Sequence, residues 1–152
     1  MLKQLKILLR GFTRYNPLML LEAMRDLHRW DRVLSEESYE SYKHALKNPS
    51  EDTKQSKHTL ATIRELHRHL DAVVRHHNKD MNCMRRCLAL KSMIERRGEQ
   101  CKLHIGVKMD ASKPSPLAAH SWITYKGVLI NDSADEIAQY KEITNEEFRM
   151  AW

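Results

Sequence analysis

The sequence predicts an α+β fold: a cysteine-bearing helix packed on a small antiparallel sheet, with a helical N-terminal half. Three observations predict it. Apolar residues recur at helical spacing over residues 59–77 and again over 84–97. The period then changes to alternation over residues 101–108 and 118–125, with Lys126-Gly127 as a turn signal behind them. The chain has 152 residues, 41% apolar and 30% charged, which suits one domain with a real core.

Residues 1–14 interleave leucine with base. Leu2, Leu5, Leu8, Leu9 and Phe12 share one side, and Lys3, Lys6, Arg10 and Arg14 lie elsewhere. No apolar run approaches the roughly 20 residues of a spanning helix. Charges interrupt any signal-peptide core. Basic amphipathic segments of this kind are known to lie on membranes, but a helix packed on the domain or on a partner is the expectation, without membrane contact. Asn16-Pro17 starts a second helix, with Asn as cap and Pro at the first helical position. Leu18, Leu21, Met24, Leu27, Val33 and Leu34 are expected to mark its buried side, extended by Trp30. Residues 35–57 are polar and broken at Asn48-Pro49-Ser50, so a short helix around residues 37–46 and then a loop are expected.

A third amphipathic helix over residues 59–77 carries Leu60, Ile63, Leu66, Leu70, Val73 and Val74 on one face. It also carries His67, His69, His76 and His77. No pair among them has the i, i+4 spacing that puts two ligands on one helix face, and no cysteine or acid spacing completes a zinc site. A solvated polar face and no metal are expected.

Residues 84–97 form the next helix. Met84, Cys87, Leu88, Leu90 and Ile94 supply its apolar face, broken by Lys91, while Arg85, Arg86, Glu95, Arg96 and Arg97 load the other side. Asp80 and Asn82 are candidate N-caps and Gly98 a C-terminal stop. Cys83 then falls in the first turn, where unpaired backbone N–H groups and the helix dipole stabilise an anion. Leu103, Ile105 and Val107 alternate on the first strand, two prolines mark the loop over residues 109–116, and a second strand covers residues 118–125. A third strand over residues 128–131 closes a hairpin centred near Lys126. That centring places His120 opposite Asp132, within reach of a cross-strand hydrogen bond. Beyond Asp132, Ile137, Tyr140, Ile143, Phe148 and Trp152 suggest a loosely packed helix or extended cover, with Asn145-Glu146-Glu147 exposed.

Cysteine, histidine and acid, in that order on helix, strand and strand, can make a thiolate nucleophile, its base and the group that orients the base. The candidates are Cys83, His120 and Asp132. Cys87 and Cys101 are expected to be buried apolar residues.

These residues also carry a resemblance. Cys83-x-x-Arg86-x-Leu88-Ala89-Leu90, then Arg96-Arg97-Gly98, Leu103-x-Ile105-Gly106-Val107-Lys108, His120-Ser121-Trp122 and Gly127-Val128-Leu129-Ile130-Asn131-Asp132 resemble the lasso-peptide leader peptidases. These are transglutaminase-like (papain-like) cysteine proteases related to the protease domain of the microcin maturation proteins. The resemblance spans Cys83 to Asp132, roughly a third of the chain. It implies Cys83 as nucleophile, His120 as general base and Asp132 as the orienting acid. The residues themselves read as a helical region over 1–80 and a catalytic core over 81–152, within one domain. The implied activity is removal of the leader from a lasso-peptide precursor before macrolactam formation. The implied partners are the precursor leader peptide, a small leader-recognition protein and an ATP-dependent macrolactam synthetase. The protease itself is implied to need no cofactor. A fused leader-recognition domain would be strand-rich, whereas residues 1–80 read as helical. Two departures stand out: Cys87 occupies a position where Ser or Ala is usual, and the loop before His120 is long, with Leu117 where an aromatic is common. The same three residues would also serve an acyltransferase or transglutaminase, or be retained in a non-catalytic peptide-binding module.

The formal charge of +6 and the pI near 9.3 admit an acidic partner. No nucleic-acid-binding motif accompanies the charge, and no nucleic-acid partner is expected. Three cysteines without paired spacing argue against a disulfide framework and for a reducing, cytoplasmic home.

Overall fold

Asn16 begins the first helix as the sequence requires. In the computed structural model, which describes residues 14–50, 57–77, 79–112, 114–143 and 147, its side-chain oxygen accepts from the N–H groups of Leu18 and Met19. Helix α1 runs Pro17–Glu36. A short helix α2, Tyr39–Tyr42, and a 3₁₀ turn, Lys43–Leu46, follow. Helix α3 spans Leu60–Arg75, capped by Thr59, and helix α4 spans Cys83–Glu95, capped by Asn82. Strands β1 (Lys102–Met109), β2 (Leu117–Tyr125) and β3 (Val128–Leu129) come next, then helix α5 (Ala134–Ile137) and strand β4 (Lys141–Ile143). The expected N-terminal segment lies outside the described residues, as do Asn145, Glu146, Phe148 and Trp152. Glu147 is exposed.

The strands form one antiparallel sheet in the order β3-β2-β1-β4. β4 was not foreseen. Its three residues are too few to show alternation, and only its ladder with β1 defines it. Helix α4 is the centre of the molecule. Cys87 to Leu90, with Met93 and Ile94, are buried on several sides because α1 and α3 cover one flank and the sheet the other. Leu103, Ile123, Tyr125 and Ile130 supply the sheet's part of this core. Even Lys91 is buried, its ammonium paired with Glu95 one turn on.

Two helical faces differ from expectation. On α1, Leu18, Leu21 and Met24 are 75%, 58% and 50% exposed. Leu27, Trp30 and Val33 are buried as expected, and Ala23, Asp26 and Asp31 complete the buried side. Two carboxylates belong to that side because cations wait for them. Arg96 grips Asp26 with two bonds of 2.9 Å, and Arg85 and Lys79 hold Asp31 at 2.8 and 2.9 Å. On α3, His69 is fully buried, not solvated. Its Nε2 accepts from the Asn16 N–H at 2.8 Å and its Nδ1 lies 2.7 Å from the Glu65 carbonyl, so the ring is a neutral bridge between α1 and α3.

Candidate active site

Helix α4 opens at Cys83 because Asn82 caps it: the Asn82 Oδ1 accepts from the Arg85 N–H at 3.0 Å. Arg85 also donates to Asp31 and Ser35 on α1, so the first turn of α4 is tied to the helical layer. No acidic side chain stands in that turn, and Arg85 and Arg86 do. The Cys83 thiol is free and half-buried.

Cys87 lies one turn further in and is completely buried. Burial pushes its thiol up to about 12, against the opposing pull of the neighbouring Ser121 and Asn131 side chains. It therefore stays protonated and packs, as expected of it. Its polar neighbours matter more than its acidity. Asn131 donates to the Cys87 sulfur at 3.3 Å and accepts from the Ile123 N–H at 2.7 Å. Ser121 and Asn131 immediately adjoin His120 and Asp132. Cys87 thus fastens α4 against the strand segments that bear the candidate pair, about 6 Å of helix rise from Cys83.

His120 and Asp132 meet. The imidazole Nε2 hydrogen-bonds the Asp132 Oδ2, and the other carboxylate oxygen accepts from the Ser133 N–H at 2.8 Å. The route differs from the expected ladder pairing. Tyr125 pairs with Val128 across a two-residue turn in which Lys126 and Gly127 have φ of 50° and 76°. The hairpin centre thus falls between those residues, and continuing the register would set His120 opposite Ser133. The ladder stops after two pairs; beyond it, the Asn131 side chain replaces a backbone acceptor and Asp132 turns in toward the ring.

His120 is enclosed by aromatics. Trp122 and Tyr140 place ring centroids 6.1 and 5.1 Å from it. His104, stacked on Trp122 at 5.6 Å, binds Thr124 at 2.8 Å and the carboxylate of Glu142 on β4 at 2.6 Å. Among the described residues, His120 Nδ1 has no hydrogen-bond partner and no hydrogen bond joins the Cys83 thiol to the imidazole. The structure forms two members of the expected set into a bonded pair and sets the third at the start of the helix fastened beside them.

Asn131, Ser121 and Tyr140 are residues that sequence reading quoted without giving them a role at the site. Asn131 directly precedes the candidate acid, which was the one available signal. His67, expected on a solvated face, is instead half-buried and lines a narrow cleft with Asp71, Arg86 and Asn131. Burial lowers its imidazole below the ordinary value, partly offset by Asp71 and Asp132. Among the described residues no cluster of three or more His, Cys, Asp or Glu is placed to hold a metal ion. No helix among them is long and apolar enough to cross a membrane.

A helix-start cysteine, a small antiparallel sheet and a helical N-terminal half make this an α+β, papain-like fold. Residues 20–145 match the transglutaminase-like superfamily, and the chain belongs to it. Searches of curated proteins and of solved structures found no match. Membership suggests cysteine-protease or acyltransferase-type activity.

Proposed function

We propose that this chain is a cysteine peptidase that removes the leader from a lasso-peptide precursor, with Cys83 as nucleophile, His120 as base and Asp132 as the orienting acid. The observation that carries the reading is the His120–Asp132 bond beside a helix that starts at Cys83 and is fastened through Cys87 to Asn131, the residue before Asp132. The motifs that resemble leader peptidases support the substrate.

The chemistry follows from the atoms. Asp132 on Nε2 fixes the tautomer and leaves Nδ1 to accept the Cys83 proton. The thiolate adds to the carbonyl at the leader–core junction. Protonated His120 gives its proton to the departing core amine as the C–N bond breaks, leaving the leader as a thioester on Cys83. Water, deprotonated by His120, then releases the leader carboxylate and restores the thiol. The Cys83 N–H, at the open end of α4, is one donor for the oxyanion. A small leader-recognition protein would present the precursor, and an ATP-dependent synthetase would close the macrolactam on the freed amine. The protease step needs no cofactor.

The test is to incubate the chain with a lasso-peptide precursor in H₂¹⁸O, with and without its leader-recognition protein, and weigh the products. A leader fragment carrying ¹⁸O in its carboxylate, absent with Cys83→Ala, supports hydrolysis. Incorporation of an added amine in place of ¹⁸O points to the acyltransferase reading.

A further inference from the structure

The exposed face of α1 has an uneven makeup. Its first half presents Leu18, Leu21 and Met24, all at least half exposed. Its second half presents Arg25, His28, Arg29 and Arg32, also exposed. The acids between Leu18 and Arg32 are Glu22, Asp26 and Asp31, and each is turned inward onto a cation: Glu22 onto Arg96 and Arg97, Asp26 onto Arg96 and, at 3.6 Å, the exposed Arg25, Asp31 onto Arg85 and Lys79. Beside Leu18 and Leu21 a groove of about 600 Å³ runs between α1 and the end of α4, walled by Arg25, Arg96 and Arg97 with Glu22, which the last two hold, between them. The face shown to solvent is therefore apolar at one end and positive from Arg25 to Arg32, with the exposed Glu36 beyond it at the helix end.

We propose that this face docks an acidic amphipathic segment of a partner protein, with two apolar anchors in the Leu18–Leu21 groove and a run of Asp or Glu along Arg25, Arg29 and Arg32. Charge complementarity selects this occupant. The chain's own residues 1–13 carry Lys3, Lys6, Arg10 and no acid, and would set base against base. A second copy paired about a two-fold axis would do the same. A bilayer is flat, whereas the apolar site is concave and lies at one end of the basic row. From Leu21 to Arg32 the helix rises about 16 Å, so the acidic run must extend about three helical turns beyond the anchors. Apolar anchors in a groove supply affinity, and the arginine row supplies speed and salt dependence. The inference does not depend on the catalytic roles.

The probe is a fluorescein-labelled 18-residue peptide with a Leu-x-x-Leu anchor followed by six glutamates over three turns, titrated with the full chain by fluorescence anisotropy. The expected result is saturable binding that weakens at least tenfold with Leu18→Asp plus Leu21→Asp, and that weakens with rising salt. Arg25→Glu plus Arg32→Glu should abolish it, and a lysine version of the peptide should bind that variant instead. Cys83 alkylation should be unchanged in both variants, showing that they fold. Equal binding of a scrambled peptide, or no binding at all, would overturn the proposal. So would binding only after removal of residues 1–13, which assigns the face to the chain itself. Dimers lost with Leu18→Asp, or phosphatidylglycerol vesicles bound through these residues without peptide binding, would assign it to a second copy or a membrane.

Discussion

Gly106 lies directly across the β1–β2 ladder from His120. The absence of a side chain there is what lets Trp122 and Tyr140 close around the imidazole. A Cβ on residue 106 would stand 2.7 Å from the Tyr140 Cβ and 2.9 Å from the Trp122 ring, distances that no relaxed packing permits. Gly106→Ala must displace one aromatic or the other. Overpacking of this kind typically costs about 1–3 kcal/mol. We expect a melting temperature lowered by a few degrees and a larger proportional loss of turnover than of precursor affinity. An active, fully stable Gly106→Ala variant would show that the aromatic enclosure has no part in holding His120.

The two helix thiols should behave differently. Cys87 rises from an ordinary 9.0 to about 12 because it is buried. The unfolded chain ionises that thiol near 9.0 while the folded chain does not, so its contribution to stability is present below that pH and is lost as pH climbs toward about 12. Thermal melts of wild type should therefore decline more over that alkaline window than melts of Cys87→Ala. In the native protein iodoacetamide should spare Cys87 at pH 7–8, and denaturant should expose it. Cys87→Ser should keep most activity, whereas Cys83→Ala should abolish it.

Asp132→Asn keeps a hydrogen-bonding group of the same shape but favours the wrong imidazole tautomer. Turnover should fall on the order of a hundredfold or more, with precursor binding nearly unchanged. Equal losses in binding and rate, measured by single-turnover kinetics, would make Asp132 a structural residue.

Glu22 offers a pH test of the helical layer. Burial raises its carboxyl, but the guanidinium groups of Arg97 and Arg96 outweigh this and hold it below its ordinary 4.5. Its contribution is complete above that pH and is lost as pH falls through the lower folded value. Wild-type melting temperature should drop below pH 4.5 by more than that of Glu22→Gln. Parallel acid profiles would show that the Arg96–Arg97–Glu22 cluster does not hold α1 on α4.

Much of this was legible in the sequence where one rule decides one element. Asn16-Pro17 and Asn82 fixed two helix starts, Lys126-Gly127 fixed the hairpin turn, and the alternation of Leu103 and Ile105 fixed the sheet face that packs on α4. Tertiary partners decided the rest. Asp26 and Asp31 turn inward only because Arg96, Arg85 and Lys79 come from distant segments, and that exposes Leu18, Leu21 and Met24. His69 is buried only because the Asn16 N–H needs an acceptor. At the candidate site, the order of cysteine, histidine and acid could be read from spacing. The one-residue hairpin shift and Asn131's double role could not, because side-chain bonds replace the ladder there.

The central claim is that Cys83, His120 and Asp132 act as one unit, and thiol alkylation tests it without any partner. Native chain is treated with iodoacetamide at pH 7 and the modified peptides are weighed over time, for wild type, His120→Ala and Asp132→Asn. The account predicts one fast adduct, on Cys83, slowed at least tenfold by His120→Ala and less by Asp132→Asn, with Cys87 and Cys101 silent until unfolding. Labelling of Cys83 at the same rate in all three proteins would contradict it.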